Sequence, residues 1–202
     1  MKQQMKKLNL SARAAVLILA LLFSYAATAT AQTKEGLAVI NGDFSDLSDL
    51  GSADVHGWRY GVPVGWMSTS MDPVNPIDPL YAENDKDGPT PPVCNISQLG
   101  YLKQVVGTLT KDADVVLEFD VFKLWGPNDV DLGAAILEGD NAPLTHAEFK
   151  AGRKQKLVAR NVSAGTEITI QFWATKATTP GLDNVTVKTF APGKAPEAAM
   201  KP

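Results

Sequence analysis

The chain has 202 residues and a single cysteine, Cys94. A disulfide framework needs cysteines in pairs, so no disulfide can form within the chain. A free thiol in an oxidising compartment is a liability unless it is buried, and we therefore expect Cys94 to be a core residue. A reactive nucleophile is the alternative, but no histidine lies near Cys94 in the sequence and no family signature surrounds it.

Long hydrophobic runs are also scarce. The apolar run Ala14–Ala27 spans roughly a dozen residues, whereas a helix that crosses a bilayer needs about 20. Basic residues precede the run, and the small residues Ala29-Thr30-Ala31 follow it. This order predicts a secretory signal peptide over residues 1–31, cleaved before Gln32, rather than a membrane-anchoring helix. We expect a secreted protein, periplasmic or extracellular, with no membrane insertion after cleavage.

An excess of positive charge is absent. The chain carries 19 basic and 22 acidic residues, and four of the basic residues lie in segment 1–31, which has no acidic residue. Cleavage would leave 15 basic and 22 acidic residues, a formal net charge of −7. A negatively charged domain does not attract phosphate backbones, so nucleic acid is not an expected partner, and neither is an anionic membrane surface.

Helical periodicity is missing from every long segment. Alternating or β-branched residues recur instead, separated by Gly, Pro, Asn and Asp. Eight or nine short antiparallel strands with short turns predict an all-β sandwich or barrel, in one domain over residues 32–190. The predicted strands are Leu37–Ile40, Val62–Ser68, Val93–Gln98, Tyr101–Leu109, Asp114–Leu124, Leu132–Glu138, Lys154–Val162, Glu167–Thr175 and Leu182–Thr189.

Two segments fall outside this sandwich. Met71–Pro92 is crowded with Pro and Asp and is not expected to form a central strand. Loops of this length are usually functional or disordered. The tail, residues 191–202, is rich in Pro, Ala and Lys, and we predict that it is disordered or serves as a spacer.

The segment Glu167–Ala174 alternates strictly. Its apolar residues Ile168, Ile170 and Phe172 share one face, which is the expected core face. The residues between them, Thr169, Gln171 and Trp173, then share the outward face. An indole on an outward sheet face predicts a ligand site, because its flat apolar surface stacks on the C–H faces of sugars while amides bond the hydroxyls.

Enzyme motifs are lacking. His56 and His146 are isolated, and no H-E-x-x-H, G-x-S-x-G, P-loop or dinucleotide fingerprint occurs. Glu118 and Asp120 lie two apart on one face of a predicted strand. Such a pair can act in glycoside hydrolysis, hydrogen-bond a sugar, or simply form the polar face of a sheet. The chain is therefore not clearly an enzyme, and no catalytic residue is assigned.

Further aromatic residues lie at strand ends and in loops, where they can pack under a loop or contact a ligand. The predicted ligand-binding side chains are Trp173, Gln171, Trp125, Glu118, Asp120 and Tyr81.

Three groups of residues carry a resemblance to a known family. They are Ile40-Asn41-Gly42-Asp43-Phe44 with Val62-Pro63-Val64-Gly65-Trp66, Gly100–Val106 with Val116–Val121, and Ile168–Trp173 with Leu182–Val187. Their order and spacing resemble the galactose-binding-like jelly-roll superfamily, which includes the carbohydrate-binding modules of xylanases and related bacterial surface proteins. The resemblance implies a jelly-roll β-sandwich.

The resemblance also implies a structural calcium ion between the N-terminal loop and the last strand, where Asp183 matches the family's acidic position. The family's glutamate after the N-terminal phenylalanine is replaced here by Ser45. Asp43 and Asp46 could substitute, because calcium takes six to eight oxygen ligands.

Three functions are compatible with the sequence. The first is a secreted, non-catalytic module that binds a glycan or cell-surface polysaccharide. The second is an envelope or extracellular-matrix protein that uses the sandwich for protein–protein contact. The third, a small secreted hydrolase, depends on Glu118 and Asp120 alone, and the fold by itself does not choose among the three.

Overall fold

The structure is a computed structural model that describes residues 36–52, 58–70, 80–82, 93–96, 100–125, 131–140, 142–175 and 179–197. These residues form strands and connecting loops, and no helix occurs among them. The predicted signal peptide, residues 1–31, lies outside this description. In the described part of the chain, no helix is long and apolar enough to span a membrane.

The described residues contain eleven strands, which form two antiparallel sheets. Sheet A has the order β1-β3-β4-β11-β6-β9, and sheet B has the order β2-β5-β10-β7-β8. The strands are β1 Trp58–Tyr60, β2 Met67–Ser70, β3 Leu80–Ala82, β4 Val93–Asn95, β5 Gly100–Thr108, β6 Ala113–Trp125, β7 Leu132–Glu138, β8 Ala142–Phe149, β9 Gly152–Val162, β10 Glu167–Ala174 and β11 Thr179–Phe190.

From β4 onward the chain changes sheet at every connection except the hairpin between β7 and β8. This repeated crossing is typical of a jelly-roll sandwich. The all-β, antiparallel sandwich predicted from the sequence is therefore confirmed. Its strand count is higher than the eight or nine expected, because three short or polar strands, β1, β3 and β8, were not predicted.

The core lies between the two sheets. The fully buried Ile168, Ile170 and Phe172 of β10 face it from sheet B, as the alternation predicts. The rings of Phe119 from β6 and Phe172 meet edge to face, 5.1 Å apart. Because aromatic rings bury large areas, this contact is one of the main links between the sheets.

Phe44 and Trp66, which belong to the first pair of family-like motifs, are both buried, and their rings stack 5.5 Å apart. Cys94 is fully buried, which confirms its predicted core position. Burial raises the pKa of the Cys94 thiol and disfavours the reactive thiolate.

The predicted strand Leu37–Ile40 is not a ladder strand, because a side chain replaces part of its backbone pairing. The amide of Ala38 donates to the carbonyl of Val106 on β5 at 2.9 Å. At Ile40, the buried side-chain amide of Gln104 replaces a partner strand. Its Oε1 accepts from the Ile40 N–H at 2.7 Å, and its Nε2 donates to the Ile40 carbonyl at 3.0 Å. Gln104 Nε2 also donates to the carbonyl of Gly65 at 2.8 Å.

The prediction of a disordered tail is wrong for residues 191–197. The buried Ala195 donates its N–H to Asp114 Oδ2 at 3.1 Å, and its carbonyl accepts from Arg160 Nη1 at 2.8 Å. The same guanidinium is paired with Asp114 Oδ2 at 3.0 Å. The hydrogen bond from the Asn161 N–H, with those from Ala195 and Arg160, holds the pKa of the Asp114 carboxyl well below its ordinary value. Residues 198–202 lie outside the description.

The Pro- and Asp-rich segment 71–92 is described only at β3. This strand pairs with β1 on one side and β4 on the other, so part of the segment occupies an interior position of sheet A. The expectation that the segment contains no central strand is wrong for these three residues, none of which is Pro or Asp.

Candidate functional site

The outer face of sheet B gathers chemically varied side chains in cross-strand rows. In the first row, Trp173 of β10 lies opposite Tyr101 of β5 and Gly133 of β7. In the second row, Gln171 lies opposite Lys103 and Ala135. The third row holds Thr169, Val105 and Leu137. Because alternate residues of β10 fill the core, these three rows point away from it.

The indole of Trp173 lies across β7. A Cβ atom built on Gly133 would overlap the indole atoms Cε2, Nε1 and Cζ2, so the ring occupies the space that a side chain at Gly133 would fill. Trp173 is only partly buried, which leaves part of its aromatic surface available to solvent. The sequence pattern predicted the outward direction of Trp173, but it gave no sign that Gly133 lies beneath it.

The polar groups of this face include a cation and an amide. Lys103 Nζ forms an ion pair with Asp140 Oδ1 at 2.9 Å and lies 5.9 Å from the ring centre of Tyr101. Its side chain is only 15% exposed, so the ammonium is held in place rather than extended into solvent. Gln171, in the same row, is partly buried. Neither Tyr101 nor Lys103 was among the predicted ligand residues; the strand pairing identifies them.

The opposite end of the face is aliphatic. Val105, in the third row, is 40% exposed. Met67 of β2 pairs with Lys103, so it extends the second row towards the sheet edge, and it is 43% exposed. Thr169, in the same row as Val105, is fully buried, and its Oγ1 has no hydrogen-bond partner. The face therefore runs from an aromatic end, through a polar row, to an aliphatic end.

The structure does not bring Glu118 and Asp120 to this face. Both lie on β6, on the outer face of sheet A, at the other side of the sandwich. Glu118 forms ion pairs with Lys156 at 3.4 Å and Lys188 at 3.7 Å. These contacts join β6 to its neighbours β9 and β11, which is a structural use of the carboxylate.

Asp120 is also engaged by neighbouring strands. Its Oδ1 accepts from the backbone N–H of Lys154 at 2.6 Å, and its Oδ2 accepts from Asn184 Nδ2 at 3.1 Å. Trp125 and Tyr81, at the end of β6 and in β3, also belong to sheet A, and their side chains lie outside the description. The predicted ligand residues thus divide between two sheets: Trp173 and Gln171 share the outer face of sheet B, and Glu118 and Asp120 share that of sheet A.

A second polar cluster surrounds Asp183 on β11. Burial is the main cause that raises the pKa of Asp183 to about 6, and the negative charges of Asp120 and Asp43 raise it further. Asn184 opposes this rise, because its backbone N–H donates to Asp183 Oδ1 at 2.6 Å. Its Nδ2 also donates to Asp183 Oδ2 at 3.0 Å.

The three carboxylates predicted to bind calcium do not form one set. Asp46 Oδ1 accepts from the Ser48 N–H at 3.0 Å, and this hydrogen bond lowers the pKa of Asp46. Asp43 Oδ1 accepts from the hydroxyl of Ser45 at 2.9 Å. Among the described residues, no three His, Cys, Asp or Glu side chains are grouped closely enough to hold a metal ion. Of the three predicted calcium ligands, Asp43 and Asp183 interact electrostatically with each other.

Comparisons with known proteins give structural matches only. No protein-family model and no curated protein matches the chain. One similar solved structure is the CBM22-1 xylan-binding domain of Xyn10C from Paenibacillus barcinonensis, with 14% identity and a TM-score of 0.38, covering 78% of this chain and 97% of that chain. Another is TmCBM61 in complex with beta-1,4-galactotriose, with 15% identity and a TM-score of 0.37, covering 77% of this chain and 100% of that chain.

A CBM4 structure is also similar, with 11% identity and a TM-score of 0.39, covering 62% of this chain and 95% of that chain. These matches are with carbohydrate-binding modules. The assignment of this chain to the jelly-roll sandwiches rests on the strand order and register described above.

Proposed function

We propose that this chain is a non-catalytic glycan-binding module that holds a glycan or polysaccharide on the outer face of sheet B. The observation that carries the proposal is the row in which Trp173 lies beside Tyr101, directly followed by the row of Gln171 and Lys103. Aromatic faces stack on the apolar C–H surfaces of sugars, and amide and ammonium groups bond the hydroxyls. One face therefore supplies both kinds of contact that a sugar ring needs.

The dimensions of the face support an extended ligand, such as a segment of a glycan chain. Rows two residues apart along a strand are about 6.6 Å apart, and neighbouring strands are about 4.8 Å apart. The three rows over β5, β10 and β7 therefore cover roughly 13 Å by 10 Å. A segment of a glycan chain fits such a surface better than a cofactor does, because cofactors usually occupy deep concave pockets.

A glycan array probed with the purified protein, followed by pull-down on the insoluble polysaccharides that it identifies, tests the proposal. Tyr101→Ala is expected to weaken binding, because Tyr101 stands in the aromatic row. Glu118→Gln is the matched control: it removes a charge from the outer face of sheet A and should leave binding unchanged. If the protein binds no glycan, or if the two variants bind equally well, the proposal is wrong.

Protein–protein contact, as in an envelope or extracellular-matrix protein, is the second candidate. It is favoured by the aliphatic residues near the β2 edge of sheet B, where Ile40 is 47% exposed, Met67 43% and Val105 40%. Exposed apolar patches on soluble domains often mark interaction sites. A replacement such as Ile40→Lys should abolish a protein complex and leave the three rows of the glycan face unchanged, because Ile40 lies in none of them, so the two functions are separable.

A structural calcium ion and export from the cytoplasm are separate proposals. The calcium proposal is supported by the charge around Asp183, where Asp43 and Asp120 add to the cost of an ionised carboxylate that a divalent cation would offset. Export is supported by the N-terminal sequence pattern alone. N-terminal sequencing of the protein recovered from the periplasm or the medium checks the predicted cleavage before Gln32.

A further inference from the structure

Gly133 is the one residue of the aromatic row that has no side chain. It lies on β7 directly opposite Trp173, within a strand whose other members are all larger. Its φ angle is not in the left-handed region that favours glycine. Glycine is therefore not required here by the backbone conformation, and it costs stability in a strand because it loses more conformational freedom than other residues.

The position of the Trp173 indole explains why residue 133 is a glycine. A Cβ atom on Gly133 would overlap the five-membered and six-membered rings of the Trp173 indole. The indole therefore extends over β7, away from the side of β10 on which Tyr101 lies. The next outward residue of β7 is Ala135, which is also small and nearly buried. At these two positions β7 therefore carries no large side chain on the outer face.

We propose that Gly133 is the positioning residue of the glycan site, because it allows the indole of Trp173 to lie down across β7. The indole and the Tyr101 ring then present aromatic surface on both sides of β10. A side chain at position 133 would force the indole to turn outward, into the space that the glycan occupies. This inference rests on the proposed glycan-binding function, while the indole position can be tested without any ligand.

The test combines Gly133→Ala with two measurements. In ¹⁵N–¹H spectra the four tryptophans give four indole N–H signals, and Trp173→Phe identifies the signal of Trp173 by its loss. Gly133→Ala should move that signal, and exchange of the indole proton with water should accelerate. Affinity for the polysaccharide selected by the array should fall about tenfold, comparable to the loss caused by Trp173→Ala.

A double variant separates positioning from an unrelated effect. In the Trp173→Ala background, the methyl group at position 133 has no indole to displace, so Gly133→Ala should add no further loss of binding. An unmoved indole signal in Gly133→Ala overturns the inference, and so does a displaced indole with wild-type affinity or an additive loss in the double variant. If the wild-type protein binds no glycan while the indole signal still moves, the proposed function fails, and with it the role in binding, but the packing of Trp173 on Gly133 stands.

Discussion

At the scale of single residues, Phe172 and Trp173 form a matched pair of probes, because neighbouring residues of β10 face opposite sides of sheet B. Phe172 is fully buried, and Phe172→Ala should lower the free energy of unfolding by about 3–5 kcal/mol. Trp173→Ala should change it little and should instead weaken glycan binding by roughly 1–3 kcal/mol. Denaturant unfolding and isothermal titration measure the two effects. Unfolding caused by Trp173→Ala with no separate binding defect would contradict the assignment of the face.

Asp183 should make stability depend on pH. Its pKa is raised from 3.8 to about 6 in the folded protein, so the folded state holds the proton more tightly than the unfolded state. The stabilisation from this proton is fully present below about pH 4 and is lost as the pH rises to about 6. Asp183→Asn carries no such proton, and solvent screening reduces the effect, so it should gain about 1 kcal/mol over the wild type at pH 7.

Thermal unfolding from pH 4 to pH 8, in calcium-free buffer with a chelator, measures this dependence. Parallel curves for the wild type and Asp183→Asn would show that Asp183 has an ordinary pKa.

At the scale of whole elements, the side-chain amide of Gln104 makes the backbone hydrogen bonds to Ile40 that a neighbouring strand would otherwise make. Gln104→Leu would leave the N–H and carbonyl of Ile40 and the carbonyl of Gly65 without their partner. The expected loss of stability is about 1–3 kcal/mol, the usual cost of buried polar groups left unpaired. Gln171→Leu on the neighbouring strand is the control, because its side chain is on the outer face and its loss should cost under about 0.5 kcal/mol. Equal losses in urea unfolding would refute this role.

The strands that the sequence predicts well are those with a clear apolar period. The core faces of β6 and β10 followed directly from alternation, because each strand has one face against the core. β8 was missed because its residues are exposed or half-buried except Phe149, so it lacks an apolar face. β1 and β3 are three residues long and contain too little sequence for any period.

The candidate site was harder to predict than the core. Alternation indicates that Glu118 and Trp173 each point outward, but it does not indicate from which sheet. Only the strand order separates them, and strand order depends on long-range pairing. The same pairing brings Tyr101 and Lys103 of β5 and Gly133 of β7 beside Trp173, although both strands are far from β10 in sequence.

At the scale of the molecule, the calcium proposal predicts a ligand-dependent stability. An ion that binds only the folded state stabilises by mass action, about 2.7 kcal/mol when its concentration is 100 times the dissociation constant. In a domain of this size each kcal/mol corresponds to about 3 °C of melting temperature, so calcium should raise it by several degrees over a chelator. Asp183→Ala should abolish this difference, whereas Asp46→Ala should keep it, because Asp46 is bound to Ser48. Identical melting with calcium and with chelator would discard the site.

The anchored segment 191–197 determines the direction in which the protein can be tethered. Asp114 and Arg160 hold Ala195 at sheet A, whereas the aromatic row faces outward from sheet B. A tag attached after residue 197 would therefore start from a segment held by sheet A, whereas the proposed glycan face belongs to sheet B. A biosensor surface or a bead coupled through such a tag would present Tyr101 and Trp173 to the solution, while coupling through Lys103 would block the face itself.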